Sequence, residues 1–367
     1  MPPEGGNLMA YRTKFEKDLR KYVKGFGGAI NAHAHLDRAG TPDKSYLEHV
    51  GKDPMEAVLD TLGVKQNLTG DLHTGLAYTP KDLRRRMIKM LKVMAEDYDT
   101  RQVWSLIDTT ADIGRRAFDI ALELKEQYKD MIDFRVGSYP TFGFKDSDPA
   151  RWKVFEDASK DADFLGALPE RDERKGHVGY KEHLRRILCL AADLYKPVDV
   201  HADQKNDPRE HGTEELVHAM YCIPPAKRLK DGKPLVWAVH VISPAGYTER
   251  RHRDLLDGMY EFNIGVKCCP IAARTMLQNR KIRAPTHNSI ARILEIAERG
   301  IPLMFGSDNI EDVFVTTGTP DMYREVISAS EEVRYQTHPE MWAKLLAGRE
   351  LNEMDMHNIR KAICRPG

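Results

Sequence analysis

Four apolar runs in this chain each end in a side chain that can bind a metal ion, and that repetition limits the folds open to it. The first is Ala29-Ile30-Asn31-Ala32-His33-Ala34-His35-Leu36-Asp37-Arg38. Residues two apart on a strand share a face, so His33 and His35 would project together from its end. On its own, an H-x-H is as readily a pair of polar residues on a half-exposed strand. The later runs weigh against that reading. Pro197-Val198-Asp199-Val200-His201 and Leu235-Val236-Trp237-Ala238-Val239-His240 both end in histidine, and Ile301-Pro302-Leu303-Met304-Phe305-Gly306-Ser307-Asp308 ends in aspartate. In a closed barrel of parallel strands, every C-terminal strand end faces one mouth, where active sites sit.

The remaining chain fits such a barrel. Strand signals fall at residues 29–35, 102–108, 132–139, 164–168, 198–201, 235–240, 264–269 and 302–308. Helical patterns separate most of them, at 81–98, 111–128, 149–160, 180–194, 213–220, 248–262 and 288–299. Strand–helix alternation favours a parallel sheet, and eight strands close one. The 367 residues suit a (β/α)8 TIM barrel with insertions. Residues 1–28 read as a disordered tip and a helix over 11–24, ended by Gly25, Gly27 and Gly28. A helical N-terminal extension with no substantial β-sandwich domain is therefore expected. The barrel would occupy 29–335 and C-terminal helices 336–367, with the chain helical from residue 320 onward. Residues 40–80 read as a long, loop-rich first insertion with a short helix at 54–62. It is a candidate lid or subunit contact in a homo-oligomer. Counting alternation back from His240 points Trp237 outward to the helices.

Lys plus Arg and Asp plus Glu are 56 each, a net charge of +0, which argues against nucleic acid or a membrane surface as a charge-driven partner. The five cysteines are odd in number and lack C-x-x-C spacing. Cys268-Cys269 sit inside an apolar run, so buried thiols in a reducing cytoplasm are expected. The N-terminus shows no apolar signal region, and no stretch reaches transmembrane length.

The order H-x-H, H-A-D-Q, V-H-x-x-S, G-S-D-N resembles the metal-dependent amidohydrolase superfamily, and within it the cytosine deaminase-like branch. The likeness runs from about Ala29 to Tyr335. Its specific pieces are His33-Ala34-His35-Leu36-Asp37, Val200-His201-Ala202-Asp203-Gln204 and Phe305-Gly306-Ser307-Asp308-Asn309-Ile310-Glu311-Asp312-Val313-Phe314. Tyr139-Pro140-Thr141-Phe142-Gly143 and Gly166-Ala167-Leu168-Pro169-Glu170 add weaker support. The resemblance implies a divalent transition metal, Zn2+ or Fe2+, on His33, His35, His201 and Asp308. It implies that His240 orients the attacking metal-bound hydroxide and that Asp308 also takes its proton. Arg38, Thr141, Glu170, Gln204 and Asn309 become substrate-contacting positions. The implied reaction is hydrolysis at a ring carbon of a small nitrogen heterocycle, releasing ammonia or an amine. A binuclear site would want a carboxylated lysine after the fourth strand. Leu168-Pro169-Glu170 offers none, although Glu170 could itself bridge.

Gln204 departs from this pattern, because the deaminases carry a proton-shuttling glutamate there. An amide neither gains nor loses a proton near neutral pH. Either another group carries the proton (Asp203, Glu170 and Arg38 are the candidates), or the leaving group is a better one, such as nitro or halide, or the barrel is catalytically inert. Arg38 at the rim would favour an oxygen-rich, acidic or nitro-bearing ring, or it is a solvated loop residue. Two rival enzymes lack their motifs. The zinc nucleoside deaminases need P-C-x-x-C, and a Rossmann enzyme needs G-x-G-x-x-G after its first strand.

Overall fold

The structure, a computed structural model, describes residues 11–57, 60–275 and 290–364. Eight strands form one sheet in chain order: β1 (Ala29–Ala34), β2 (Thr100–Asp108), β3 (Asp133–Tyr139), β4 (Phe164–Ala167), β5 (Val198–Ala202), β6 (Val236–His240), β7 (Gly265–Cys268) and β8 (Leu303–Phe305). Each pairs in parallel with the next. Residues of β1 and of β4 to β8 are buried throughout, as strands covered on both faces must be. The sheet closes just past β8. Asp308 N donates to the His33 carbonyl at 2.9 Å, and His35 N donates to the Asp308 carbonyl at 3.1 Å. The fold is an α/β barrel of the (β/α)8 kind.

Helix Lys14–Gly25 begins at Thr13, whose hydroxyl accepts from Glu16 N, and it buries Leu19 and Val23. It packs on helix Pro339–Leu346 near the C-terminal end. Apart from a two-residue antiparallel ribbon, Leu229–Lys230 with Lys233–Pro234, the described residues hold no second sheet.

Four expectations need correction. The first insertion is largely helical: after Pro54–Ala57 comes the helix Leu62–Thr74. Its amphipathic signal is weak because four of the six residues it buries are polar, Lys65, Gln66, Thr69 and His73 beside Leu68 and Leu72. The chain after residue 320 is three helices, Met322–Glu332, Pro339–Leu346 and Glu353–Ile363, with non-helical links. Trp237 points into the barrel, where it clusters with Ile30, Ala32 and Met304 from two other strands. Alternation fails there because His240 adopts φ +77, outside strand geometry. The helix expected at 288–299 is observed as Ile293–Glu298, and residues 288–289 lie outside the described residues.

Candidate active site

The strand ends bring the four proposed ligands together. His33 and His35 from β1, His201 from β5 and Asp308 after β8 each offer a ligand atom within 4.8 Å of the others, and all four residues are buried. Local backbone geometry sets their aim. Asp308 sits at φ +56 and His240 at φ +77, a region costly for side chains other than glycine, and both turn the chain at a strand end. Gly306 lets β8 approach β1: a Cβ there would lie 2.6 Å from both the Cβ and the carbonyl oxygen of His33.

The donor set fits a divalent ion. His33 Nδ1 lies 3.3 Å from Asp199 Oδ2, and His201 Nδ1 lies 3.1 Å from the Ala167 carbonyl. A proton on each Nδ1 would leave each Nε2 lone pair free, the arrangement in which metal-binding histidines are usually held. His33 Nε2 is buried with no hydrogen-bond partner, and it stands 3.5 Å from Asp308 Oδ1. His35 Nε2 is 3.4 Å from the same oxygen. Burial, reinforced by the nearby Arg38 charge, pushes His35 down to about 3. Burial and the neighbouring imidazoles also hold His201 well below its ordinary value. Both are neutral, the form that coordinates metals. At His33, burial is outweighed by hydrogen bonds to Asp199 and Asp308, which raise the imidazole. Asp308 is held below the carboxylate range, since His33 and His35 outweigh the burial that opposes them.

His240 stands beside this set without joining it. Its ring centroid is 5.2 Å from that of His201 and 5.8 Å from that of His33. Burial lowers it to about 4, so it is a neutral imidazole able to accept a proton or a hydrogen bond.

Arg38, Thr141, Gln204 and Asn309 line one cavity with His35, His201, His240 and Asp308. Glu170 does not. It lies on the turn Pro169–Glu173, accepts from Gln66 Nε2 at 2.7 Å and Gln204 Nε2 at 2.9 Å, and stands 3.3 Å from Lys205 Nζ. It faces a neighbouring groove of about 450 Å³, and it is not part of the four-residue cluster. Thr141 donates its hydroxyl to Asp108, and Asn309 donates to Asp312 at 2.7 Å. Arg38 is buried rather than solvated.

Several groups at the mouth were not singled out from sequence. Tyr139 ends β3 with its ring 5.1 Å from both His35 and His201. Gln66 and Thr69 cover the cavity from helix Leu62–Thr74. Lys267, on β7, donates to Asp199 at 2.9 Å behind His33. His73 bridges Asp108 at 3.1 Å and Asp112 at 2.7 Å, and against the opposing effect of burial those carboxylates raise it to about 9. Alternation offered a signal for Asp199, two residues before His201. For Lys267 the signal was a lysine within an apolar run.

No family model matches the chain. A protein of Haemophilus influenzae described only as uncharacterised is 26% identical over 286 residues, covering 77% of this chain and 95% of that protein. The 5-methylcytosine deaminase from Klebsiella pneumoniae, liganded with 5-fluorocytosine, superposes with a TM-score of 0.70 at 20% identity, over 91% of this chain and 81% of that one. The fold is the one that deaminase has. N-isopropylammelide isopropylaminohydrolase from Burkholderia multivorans follows at 0.62 and 16% identity, over 92% and 82% of the two chains. Guanine deaminase from C. acetobutylicum with bound guanine gives 0.54 at 12%, over 91% and 73%. The cysteines are free, with Cys268 and Cys269 buried as expected. No helix among the described residues is long and apolar enough to cross a membrane.

Proposed function

We propose that this protein is a metal-dependent hydrolase of the amidohydrolase type, cutting a non-peptide C–N bond of a small nitrogen heterocycle and releasing ammonia or an amine. The observation that carries this reading is the convergence of His33, His35, His201 and Asp308 at the C-terminal mouth of a barrel shared with deaminases. A divalent ion on those residues, Zn2+ or Fe2+, would make a water nucleophilic at neutral pH. Asp308, ionised, accepts a proton from the attacking water. His240, neutral and adjacent, hydrogen-bonds the nucleophile and steadies charge as the ring carbon becomes tetrahedral. Gln204 and Asn309 read ring N–H and carbonyl groups by hydrogen bonds. The cavity holds only about 30 Å³, and a water needs roughly 10–15 Å³ in this measure, so a ring enters when helix Leu62–Thr74 or its side chains yield.

Gln204 favours a second reading of the leaving group. One of its amide N–H groups donates to Glu170, and an amide cannot deliver a proton. A group that departs as a stable anion, nitrite or halide, needs none. The test is to load the chain with Zn2+ or Fe2+ and to screen pyrimidines, triazines and imidazoles for release of ammonia, amine, nitrite or halide, with His201→Ala as the control. Release that depends on His201 supports hydrolysis, and the product identifies the leaving group. No release from any ring by the metal-loaded chain would refute it in favour of an inert metal-binding barrel.

A further inference from the structure

Arg38 is only 4% exposed, and it lines the cavity that holds His35, His201, His240 and Asp308. A guanidinium presents five N–H donors and no acceptor. Its side chain forms no hydrogen bond and no ion pair with any described residue, and its Nε is buried without a partner. Only its face is used, over the Phe314 ring at 4.7 Å. Arg86 shows what a structural buried arginine looks like in this fold. It donates to the carbonyls of Asp37, Ala39 and Ala77 and to the Asp82 carboxylate.

The negative charges around Arg38 do not take its donors. Asp37, Asp108 and Asp312 act on it through space, but none of them hydrogen-bonds its guanidinium. Asp37 Oδ2 accepts from Asp108 N and shares the single Tyr78 hydroxyl proton with Asp108, while Asp37 Oδ1 is buried without a partner; Asp108 also accepts from His73 and Thr141. Asp312 accepts from Asn309 and from the backbone of Phe314 and Val315. The charge is thus balanced at a distance while the N–H groups stay unpaired. A second donor points the same way: Thr69, fully buried on helix Leu62–Thr74, lines this cavity with a hydroxyl that has no partner. Donors that converge without acceptors call for a ligand rich in acceptors, and for a guanidinium the matched group is a planar anion.

We infer that the substrate is an acidic nitrogen heterocycle, carrying either an exocyclic carboxylate or an ionised ring oxo group, and that Arg38 pairs with that anion while Thr69 donates a further hydrogen bond. This rests on the reading of the mouth as the substrate site, and it narrows the substrate class within it. The charge on the ring fixes its orientation against Asp308 and His240, and Arg38 is the specificity-determining residue.

Calorimetry on the full zinc-loaded chain tests this with matched probes: pyrimidine-4-carboxylate against its carboxamide, imidazole-4-carboxylate against its carboxamide, and barbiturate, ionised at neutral pH, against uracil. The anionic member of at least one pair should bind at least tenfold more tightly, and the pair that does so tells carboxylate from ring oxo. Arg38→Met should bring that ratio to about one, and Arg38→Lys should keep part of it. Thr69→Val, which leaves Arg38 in place, should weaken the anionic probe several-fold, and it serves if Arg38→Met does not fold. Neutral members binding as tightly as anions in every pair would overturn the inference, as would a preference that survives Arg38→Met. Turnover separates the two readings. Neutral rings hydrolysed faster than their anionic partners would overturn the acidic substrate and leave the hydrolase standing. An anion preference with no product released from any ring would do the reverse.

Discussion

Replacing Asp199 with asparagine separates metal positioning from stability. Asp199 is fully buried, with Lys267 Nζ 2.8 Å from Oδ1 and His33 Nδ1 3.3 Å from Oδ2. Lys267 is itself 1% exposed and sits 4.3 Å over the Trp104 ring. An asparagine keeps the shape and an oxygen that can accept from His33, but it removes the charge. Groups behind metal ligands are worth roughly 10–100-fold in affinity. Because the accepting oxygen survives, the loss should fall at the low end, about tenfold or ~1.4 kcal/mol. The stability effect is separate and larger. Breaking a buried ion pair from one side costs about 3–5 kcal/mol. Burial already lowers Lys267, so the stranded lysine can shed its proton, and about 3 kcal/mol is expected. A fold stable by roughly 5–15 kcal/mol survives that. Adding Lys267→Met removes the stranded charge and should restore most of the stability but none of the metal affinity. Chelator competition reads the affinity, and urea unfolding of the metal-free forms reads the stability. Wild-type affinity in the single variant, or affinity restored in the double, would refute the view that Asp199 acts through His33.

His240→Asn should keep its metal by elemental analysis yet lose roughly 10²-fold in turnover on any ring found by the product screen; normal turnover would show that His240 has no part in the reaction. Gln204→Glu would set a carboxylate about where the amide now stands, 2.9 Å from Glu170 Oε1, so the pair would share a proton with one pKa raised. Ammonia release from cytosine-like rings should rise, or a native activity that needs the neutral amide should vanish; kinetics unchanged on both substrate types would show that position 204 handles no proton. His73 carries a pH signature through Asp108 and Asp112, with the Tyr78 ring 4.3 Å from its own. Its folded value of about 9 exceeds the ordinary 6.5, so its contribution is complete below 6.5 and is lost as pH rises towards 9. Thermal unfolding of wild type should weaken over that window more than that of His73→Gln, and equal slopes would refute the pairing.

The strand ends were legible in the sequence because each is a short apolar run followed by a polar residue that a barrel can direct only to its mouth. His33, His35, His201 and Asp308 came together for that reason. The helix over the mouth was not legible, because Lys65, Gln66, Thr69 and His73 are polar residues on its buried face, and hydrophobic periodicity cannot register them. Trp237 was misdirected by counting through His240, where a positive φ breaks the period. Arg38 was visible as a charge near the ligands, but only its packing on Phe314, with three carboxylates nearby and none bonded to it, reveals its unpaired donors.

Asp308 ties the last strand to the first through its backbone and completes the ligand set with its side chain. A nascent chain leaving the ribosome presents His33 and His35 early, but it has no complete ligand set until residue 308 has emerged and docked on β1. Ion capture therefore waits until the last strand has docked on the first. A cell short of the ion would accumulate chains whose first and last strands are joined by those backbone hydrogen bonds but not by the ion.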